Sequence, residues 1–334
     1  MAAIRMAQYG TKHGHAAGKL RAMLTNPDTE FVGVFEPDAR QRAELADDPP
    51  WRDVHWFSEA REMLDDDSIV AIASEGRNDE SLDQTEQIVR AGKHVWYDKP
   101  AGDNWPQWQR IMAMAQEKSL LIQMGYMFRY HEGFGRIAEW ARSGFLGHVF
   151  AIRAHMSTNI PPKARRVIAV HRGGILYDLA GHMLDQVVWI LGRPSKITSF
   201  LRHDDEVVPG FADNTLAVLE YERALAMIDI AAMEPRPMAR RFEVYGTEGS
   251  AILLEPFEPG ESIRLTLEVP REGFQASTQI VRVPPLSRQA LYERELAAFV
   301  GVLRGERVPD RGPEHELLVQ ETLLRAVGEL DSSG

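Results

Sequence analysis

The chain contains no cysteine. Disulfides, thiolate metal sites and cysteine nucleophiles are therefore excluded, while the compartment stays open. Long apolar runs are absent too. Nothing in 334 residues approaches the 18 or so apolar residues of a spanning helix, so no membrane partner is expected. Positive charge is in deficit, with 38 Lys and Arg against 49 Asp and Glu and a net charge of −11. That balance suits neither a nucleic-acid backbone nor an anionic membrane surface. The opening "MAAIRMAQYG" is too short an apolar run for a secretory signal, and a cytoplasmic location is expected. Against these absences stand 44% hydrophobic and 26% charged residues, an ordinary globular composition with length for two domains.

The first third alternates short apolar strands with helical stretches. Residues 4–9, 30–38, 68–74, 94–98 and 120–126 read as strands, with "DVHWF" as a brief sixth. Helices are expected over 15–24, after Ser58 as N-cap, and over 79–91 up to Gly92. Alternation of this kind implies parallel strands joined by right-handed crossovers. Beyond residue 125 the character changes. Two helices (132–143 and 175–191) are accompanied by eight strand candidates from "HVFAIRAHM" to "TQIVRV", and turn signals such as "GTEGS" suggest an antiparallel sheet. Helices over 287–303 and 315–329 close the chain. The expected boundary divides residues 1–124 from 125–334.

Chemistry concentrates in three places. In "GGILYDLAGHMLDQ", Asp178, His182 and Asp185 follow i, i+4, i+7 spacing, which puts them within about 60° on one helix face. No Lys, Glu or Arg accompanies them, unlike an ordinary solvated stripe. After the first strand, "GTKHGHAAG" occupies the turn where a mononucleotide fold binds phosphate. A G-x-G-x-x-G fingerprint would need glycine at 10, 12 and 15, and the chain has Gly10, Lys12 and His15. Lys12 either blocks the approach of a pyrophosphate or supplies it a charge. Glu36 ends the second strand, where a carboxylate receives both hydroxyls of an adenosine ribose and repels a 2′-phosphate, favouring NAD over NADP.

"AGKHVWYDKP" (91–100) resembles the "AGKHVLCEKP" segment of the glucose–fructose oxidoreductase/inositol dehydrogenase (Gfo/Idh/MocA) family, and "GGILYDLAGHMLDQVVWILG" resembles its "GGGxLxDxGxHxxDxxxxLxG" segment. "GFLGHVFAIR", "VYGTEGS" and "YERELAAF" extend the likeness over essentially the whole chain. The resemblance implies an N-terminal Rossmann-type parallel sheet domain followed by an α+β domain with a large, mainly antiparallel open sheet. It implies NAD as cofactor, a secondary alcohol of a sugar, glycoside or cyclitol as hydride donor, and a homo-oligomer, dimer or tetramer, joined through the open sheet. It places Lys99, Asp178 and His182 in the catalytic constellation, with a cis bond before Pro100 fixing Lys99. His182 suits proton transfer near neutrality, Asp178 orienting work and Lys99 stabilisation of alkoxide, with the base left open between Lys99 and His182. Asp98 replaces the usual glutamate and receives no catalytic role.

The cofactor candidates are Gly10, Thr11, Lys12, His13, Gly14, His15, Glu36, Ser74 and Lys99, although "AIASEGRND" lacks the family's Thr-Pro-Asn pattern. The substrate candidates are Arg129, Tyr130, Arg153, His155, Arg166, Asp178, His182 and Asp185. The basic loop 161–172 reads as a pocket cover that recognises hydroxyls or an acidic group such as a uronate. "HGH" imitates a metal pair that Asp178, His182 and Asp185 would complete, but the α/β alternation stops too early for a hydrolase barrel, and no metal is expected. NAD-assisted glycoside cleavage and a nonenzymatic nucleotide or sugar sensor are the competing readings.

Overall fold

The computed structural model describes residues 2–205, 207–254 and 256–331. The chain forms two compact units, one of residues 1–126 with 289–317, the other of 127–288 with 318–334. The division thus differs from the expected one at its end, where residues 289–317 rejoin the first unit.

The first unit opens with β1 (Ile4–Tyr9), α1 (Ala16–Thr25), β2 (Thr29–Phe35), α2 (Ala39–Leu45) and α3 (Ala60–Leu64). It continues through β3 (Ala71–Ser74), α4 (Ser81–Arg90), β4 (His94–Tyr97), α5 (Trp105–Glu117) and β5 (Ile122–Met124). All strands run parallel in the order β2-β1-β3-β4-β5. Burial on both faces explains the unbroken apolar strands: every residue of β3 is buried. Strand order reverses between β1 and β3, the switch point at which open α/β sheets bind ligands. Two sequence expectations fail locally. "DVHWF" makes only an isolated bridge, Val34 to Trp56. The cap of α3 is Glu59, not Ser58, because the Glu62 carboxylate receives the Glu59 amide at 3.1 Å.

The second unit carries α6 (Glu132–Arg142), β6 (Val149–His155), α7 (Pro162–Ile168), α8 (Ile175–Leu191), β7 (Lys196–Arg202), β8 (Asn214–Glu220) and β9 (Leu225–Ala231). Then come β10 (Arg241–Gly246), β11 (Gly249–Leu253), β12 (Ser262–Leu267) and β13 (Thr278–Arg282). These strands form one sheet in the order β13-β12-β11-β10-β6-β9-β8-β7, antiparallel except for β6 with β9. Helices α6 and α8 pack on one face of the sheet. There Phe134 of α6 meets Phe242 of β10 at 4.9 Å between ring centroids. The last helices are α9 (Arg288–Leu303) and α10 (Pro313–Val327). No helix among the described residues is long and apolar enough to cross a membrane.

Candidate active site

In the first unit, the turn after β1 requires Gly10. Its φ is +86°, and a Cβ there would lie 2.6 Å from the Gly76 amide nitrogen. The close approach of the two strand ends thus survives even though the other fingerprint glycines do not. Lys12 answers the question raised by its position. Its ammonium pairs with Glu80 at 3.0 Å and Asp38 at 3.2 Å, so it ties the end of β2 to the start of α4. Burial disfavours the charged lysine, but the two carboxylates win and its pKa is raised.

Glu36 is 3% exposed and already occupied. Its Oε2 accepts the Thr11 amide at 2.8 Å and the Thr11 hydroxyl at 2.7 Å, and Oε1 accepts the Asp38 amide at 3.0 Å. About one of the roughly four acceptor positions of a carboxylate remains, room for one ribose hydroxyl rather than two. Ser74 is buried, and its hydroxyl accepts from Thr85 of α4 at 2.9 Å, which makes it an anchor of that helix. Gly14 has open space around its Cα.

His13 and His15 do not extend a glycine-rich cradle; they turn inward. The imidazole of His15 meets Asp98 at 3.0 Å, His13 meets the same carboxylate at 3.3 Å, and Lys19 reaches Asp98 at 3.2 Å and Glu75 at 3.0 Å. Lys19 also lies 4.3 Å from the centre of the Trp96 ring. Burial lowers the His15 pKa to about 4, against the pull of Asp98. Burial likewise pushes Glu75 well up and Glu295 up to about 8. Asp98 goes the other way: burial would raise it, but His13, His15 and Lys19 hold it well below the usual carboxylate range. The Asp98 carboxylate also accepts the Lys99 amide at 2.8 Å, and the Lys99–Pro100 bond is cis. Sequence reasoning had assigned Asp98 no catalytic role, had left Glu75 as a doubtful cofactor contact, and had not reached Lys19 or Glu295. Glu295 lies some 200 residues along the chain from its neighbours, and no local pattern announces it.

A dinucleotide fits the first unit's frame: the switch point, Gly10, the start of α1 and Glu36 are in place. The Glu36 and Lys12 contacts would hold its ribose end. Its pyrophosphate end differs, because His15 caps α1 where the fingerprint has glycine.

In the second unit, α8 starts from two glycines that both need their lack of a side chain. Gly173 has φ +86° and Gly174 φ +51°; a Cβ would lie 2.3 Å from Val327 Cγ1 and 2.4 Å from the Ala212 carbonyl oxygen, respectively. His182 is 2% exposed, and its ring stands edge-on to Phe128, 5.1 Å between centroids at 77°. Phe128 leans on Phe134 and Phe257, so an aromatic cluster fixes the imidazole plane. Asp178, one turn earlier, is partly exposed. Asp185 is not: at 0% exposure it takes Arg129 at 2.5 Å and the Gln186 amide nitrogen at 2.9 Å. The Arg129 guanidinium stacks 4.1 Å from the Trp189 ring centre. These two expected substrate ligands therefore form an interior ion pair joining the turn at Met127–Tyr130 to α8. Tyr130 is half-buried in that turn.

Arg153 and His155 are also displaced from the expected role. They alternate on β6 with Ile152 and Ala154, which pair beside Val244 and Phe242 on the helix-covered face. The two polar residues thus lie on the opposite face from α8. Arg153 stacks 5.3 Å from Tyr245, and His155 binds Asp229 and, at 3.1 Å, Glu234. The segment expected as a basic loop folds in part as α7, where Arg165 is buried, donating to the carbonyls of Ile160 (3.0 Å) and Ala232 (3.1 Å) and to Asp205, while Arg166 is exposed.

A parallel sheet with a ligand switch point, joined in one chain to an α+β unit that carries an Asp-x₃-His helix, is a Rossmann-type nucleotide-binding arrangement with a second domain. Family comparison agrees: the model of the oxidoreductase family with NAD-binding Rossmann fold matches residues 5–126, and that of the GFO/IDH/MocA C-terminal domain matches 134–252. The chain belongs to the Gfo/Idh/MocA oxidoreductase family. It is 33% identical over 250 residues to the dTDP-3,4-didehydro-2,6-dideoxy-alpha-D-glucose 3-reductase of Actinomadura kijaniata, spanning 72% of this chain and 70% of that one. An oxidoreductase of Desulfitobacterium hafniense described as NADPH-dependent superposes with a TM-score of 0.83 at 19% identity, over 98% of this chain and 95% of that one. GenD2 from gentamicin A biosynthesis, solved with NAD, gives 0.78 at 21% identity, over 97% and 93%.

Proposed function

We propose that this chain transfers hydride between a nicotinamide cofactor, NAD in preference to NADP, and a secondary alcohol or its ketone on a sugar, glycoside or cyclitol. The observation that carries the reading is His182, whose imidazole is set edge-on to Phe128 within a helix that two obligatory glycines start. The named activity of the Actinomadura relative, reduction of a keto sugar, supports the substrate class. NAD in the GenD2 structure and the Glu36 carboxylate at the end of β2 support the cofactor preference.

Bound nicotinamide would supply the hydride acceptor or donor. The protein's own work is proton transfer and orientation. His182 takes the hydroxyl proton as the alcohol is oxidised and returns it on reduction. Asp178, one turn earlier on the same face, orients the substrate hydroxyls. Lys99, held by the Asp98 carboxylate through its amide, donates to the reacting oxygen and stabilises alkoxide charge. Arg166, exposed on α7, remains the substrate candidate of the basic loop.

The test is a panel of sugars, glycosides and cyclitols bearing deuterium at each carbinol carbon, incubated with NAD and the purified chain. Transfer of deuterium to the nicotinamide from one carbon supports the reading. Elimination products without net cofactor reduction would assign glycoside cleavage instead, and no transfer with any member would overturn the proposal.

A further inference from the structure

We propose that His13, His15 and Asp98 form a binding site for one first-row divalent metal ion of the zinc class. The site lies wholly within the first unit and shares Asp98 with the positioning of Lys99, so its test reads metal binding and not turnover. It also departs from the sequence expectation, which foresaw no metal and offered Asp178, His182 and Asp185 as partners for the two histidines.

The geometry begins with one oxygen. Nδ1 of His15 and Nδ1 of His13 converge on Oδ2 of Asp98 at 3.0 and 3.3 Å, and Oε2 of Glu75 stands 3.7 Å from His13 Nδ1. His13 Nδ1 also lies 3.2 Å from the His15 amide, a contact that a metal bond to the same nitrogen would replace. Zinc–nitrogen and zinc–oxygen bonds of about 2.0–2.1 Å at tetrahedral angles hold neighbouring ligand atoms about 3.3 Å apart. The two separations from Asp98, 3.0 Å to His15 and 3.3 Å to His13, lie close to that value. Ligating atoms of His13, His15 and Asp98 all lie within 4.8 Å of one another.

The donor set is two imidazoles and one carboxylate with no thiolate, which suits zinc, iron, cobalt or nickel more than copper(I), with solvent completing the shell. His13 and His15 are separated by Gly14, beside which an added Cβ meets nothing within 4 Å, so the loop has room to adjust as the ligands close.

The test is a cobalt titration of the chelator-treated, full-length chain, followed by visible absorption. We expect one Co²⁺ per chain with the intense d–d bands of a four-coordinate site, displaced by Zn²⁺. His13→Ala and His15→Ala should each weaken binding by about 100-fold or more, while His155→Ala leaves it unchanged. Absence of saturable one-to-one binding, or binding retained in both variants, would overturn the site. If the variants fail to fold, X-ray absorption of the cobalt-loaded wild-type chain decides. Two imidazole nitrogens in the shell support the proposal, and an oxygen-only shell contradicts it.

Discussion

Asp178, His182 and Asp185 share a helix face, yet each has a different environment. His182→Gln keeps the shape of the ring's polar edge but cannot carry the proton. We expect kcat to fall about 10²- to 10⁴-fold with the Kd for NAD unchanged, measured by steady-state kinetics and calorimetry. Arg129 and Asp185 belong to a different ledger. Arg129→Met strands a carboxylate at 0% exposure, and urea denaturation should show a loss of about 3–5 kcal/mol. Adding Asp185→Leu should restore part of it, since replacing both partners removes the unpaired charge. A rise in substrate KM without loss of stability would instead return both residues to the substrate pocket. Residue type and spacing made the face of α8 legible in the sequence. What they could not show was depth: i, i+4, i+7 spacing fixes direction around the axis, while the partner of Asp185 comes from a turn 56 residues earlier.

At the level of elements, alternation and turn chemistry were informative. All eight strands of the second sheet and the helix at 132–143 fall where their patterns indicated. Helices α2, α5 and α7 were not read from the sequence, although α5 carries its own start signal: the Asn104 side chain accepts the Gln107 amide at 3.1 Å, and Pro106 sits in the first turn. The glycines before α8 were visible as a pair but not as a necessity. With φ +51° and a carbonyl oxygen 2.4 Å from any Cβ, Gly174→Ala should cost more than about 1–3 kcal/mol of stability by chemical denaturation. Gly14→Ala, with nothing within 4 Å of its Cβ, should change stability by no more than about 0.5 kcal/mol. Equal losses at the two positions would mean that the α8 start is not conformationally determined.

Over the whole molecule, the face of the large sheet away from α6 and α8 combines polar clusters with exposed apolar side chains, among them Phe200, Leu225, Met227 and Ile280. A homo-oligomer joined through this face is the expected state. Sedimentation should find a dimer or tetramer, and Met227→Asp should shift it toward monomer; a wild-type monomer would contradict this. On the same face, the hydrogen bond to Asp229, reinforced by Glu234 and opposed by burial, raises the His155 pKa above its usual 6.5. A raised folded-state value contributes stability in full below the unfolded pKa and loses it as pH rises through the folded one. Unfolding free energy should therefore decline above about pH 6.5, and His155→Gln should flatten that decline. The return of residues 289–317 to the first unit was not legible, because a helical period at the chain end carries no address.

The most direct measurement is a calorimetric titration of the nucleotide-free chain with NAD and with NADP. A nicotinamide-linked oxidoreductase that reads ribose through Glu36 binds NAD with a micromolar or tighter Kd and NADP at least about tenfold more weakly. Binding of neither nucleotide would contradict hydride transfer by this chain and leave a sugar-binding sensor as the reading to pursue.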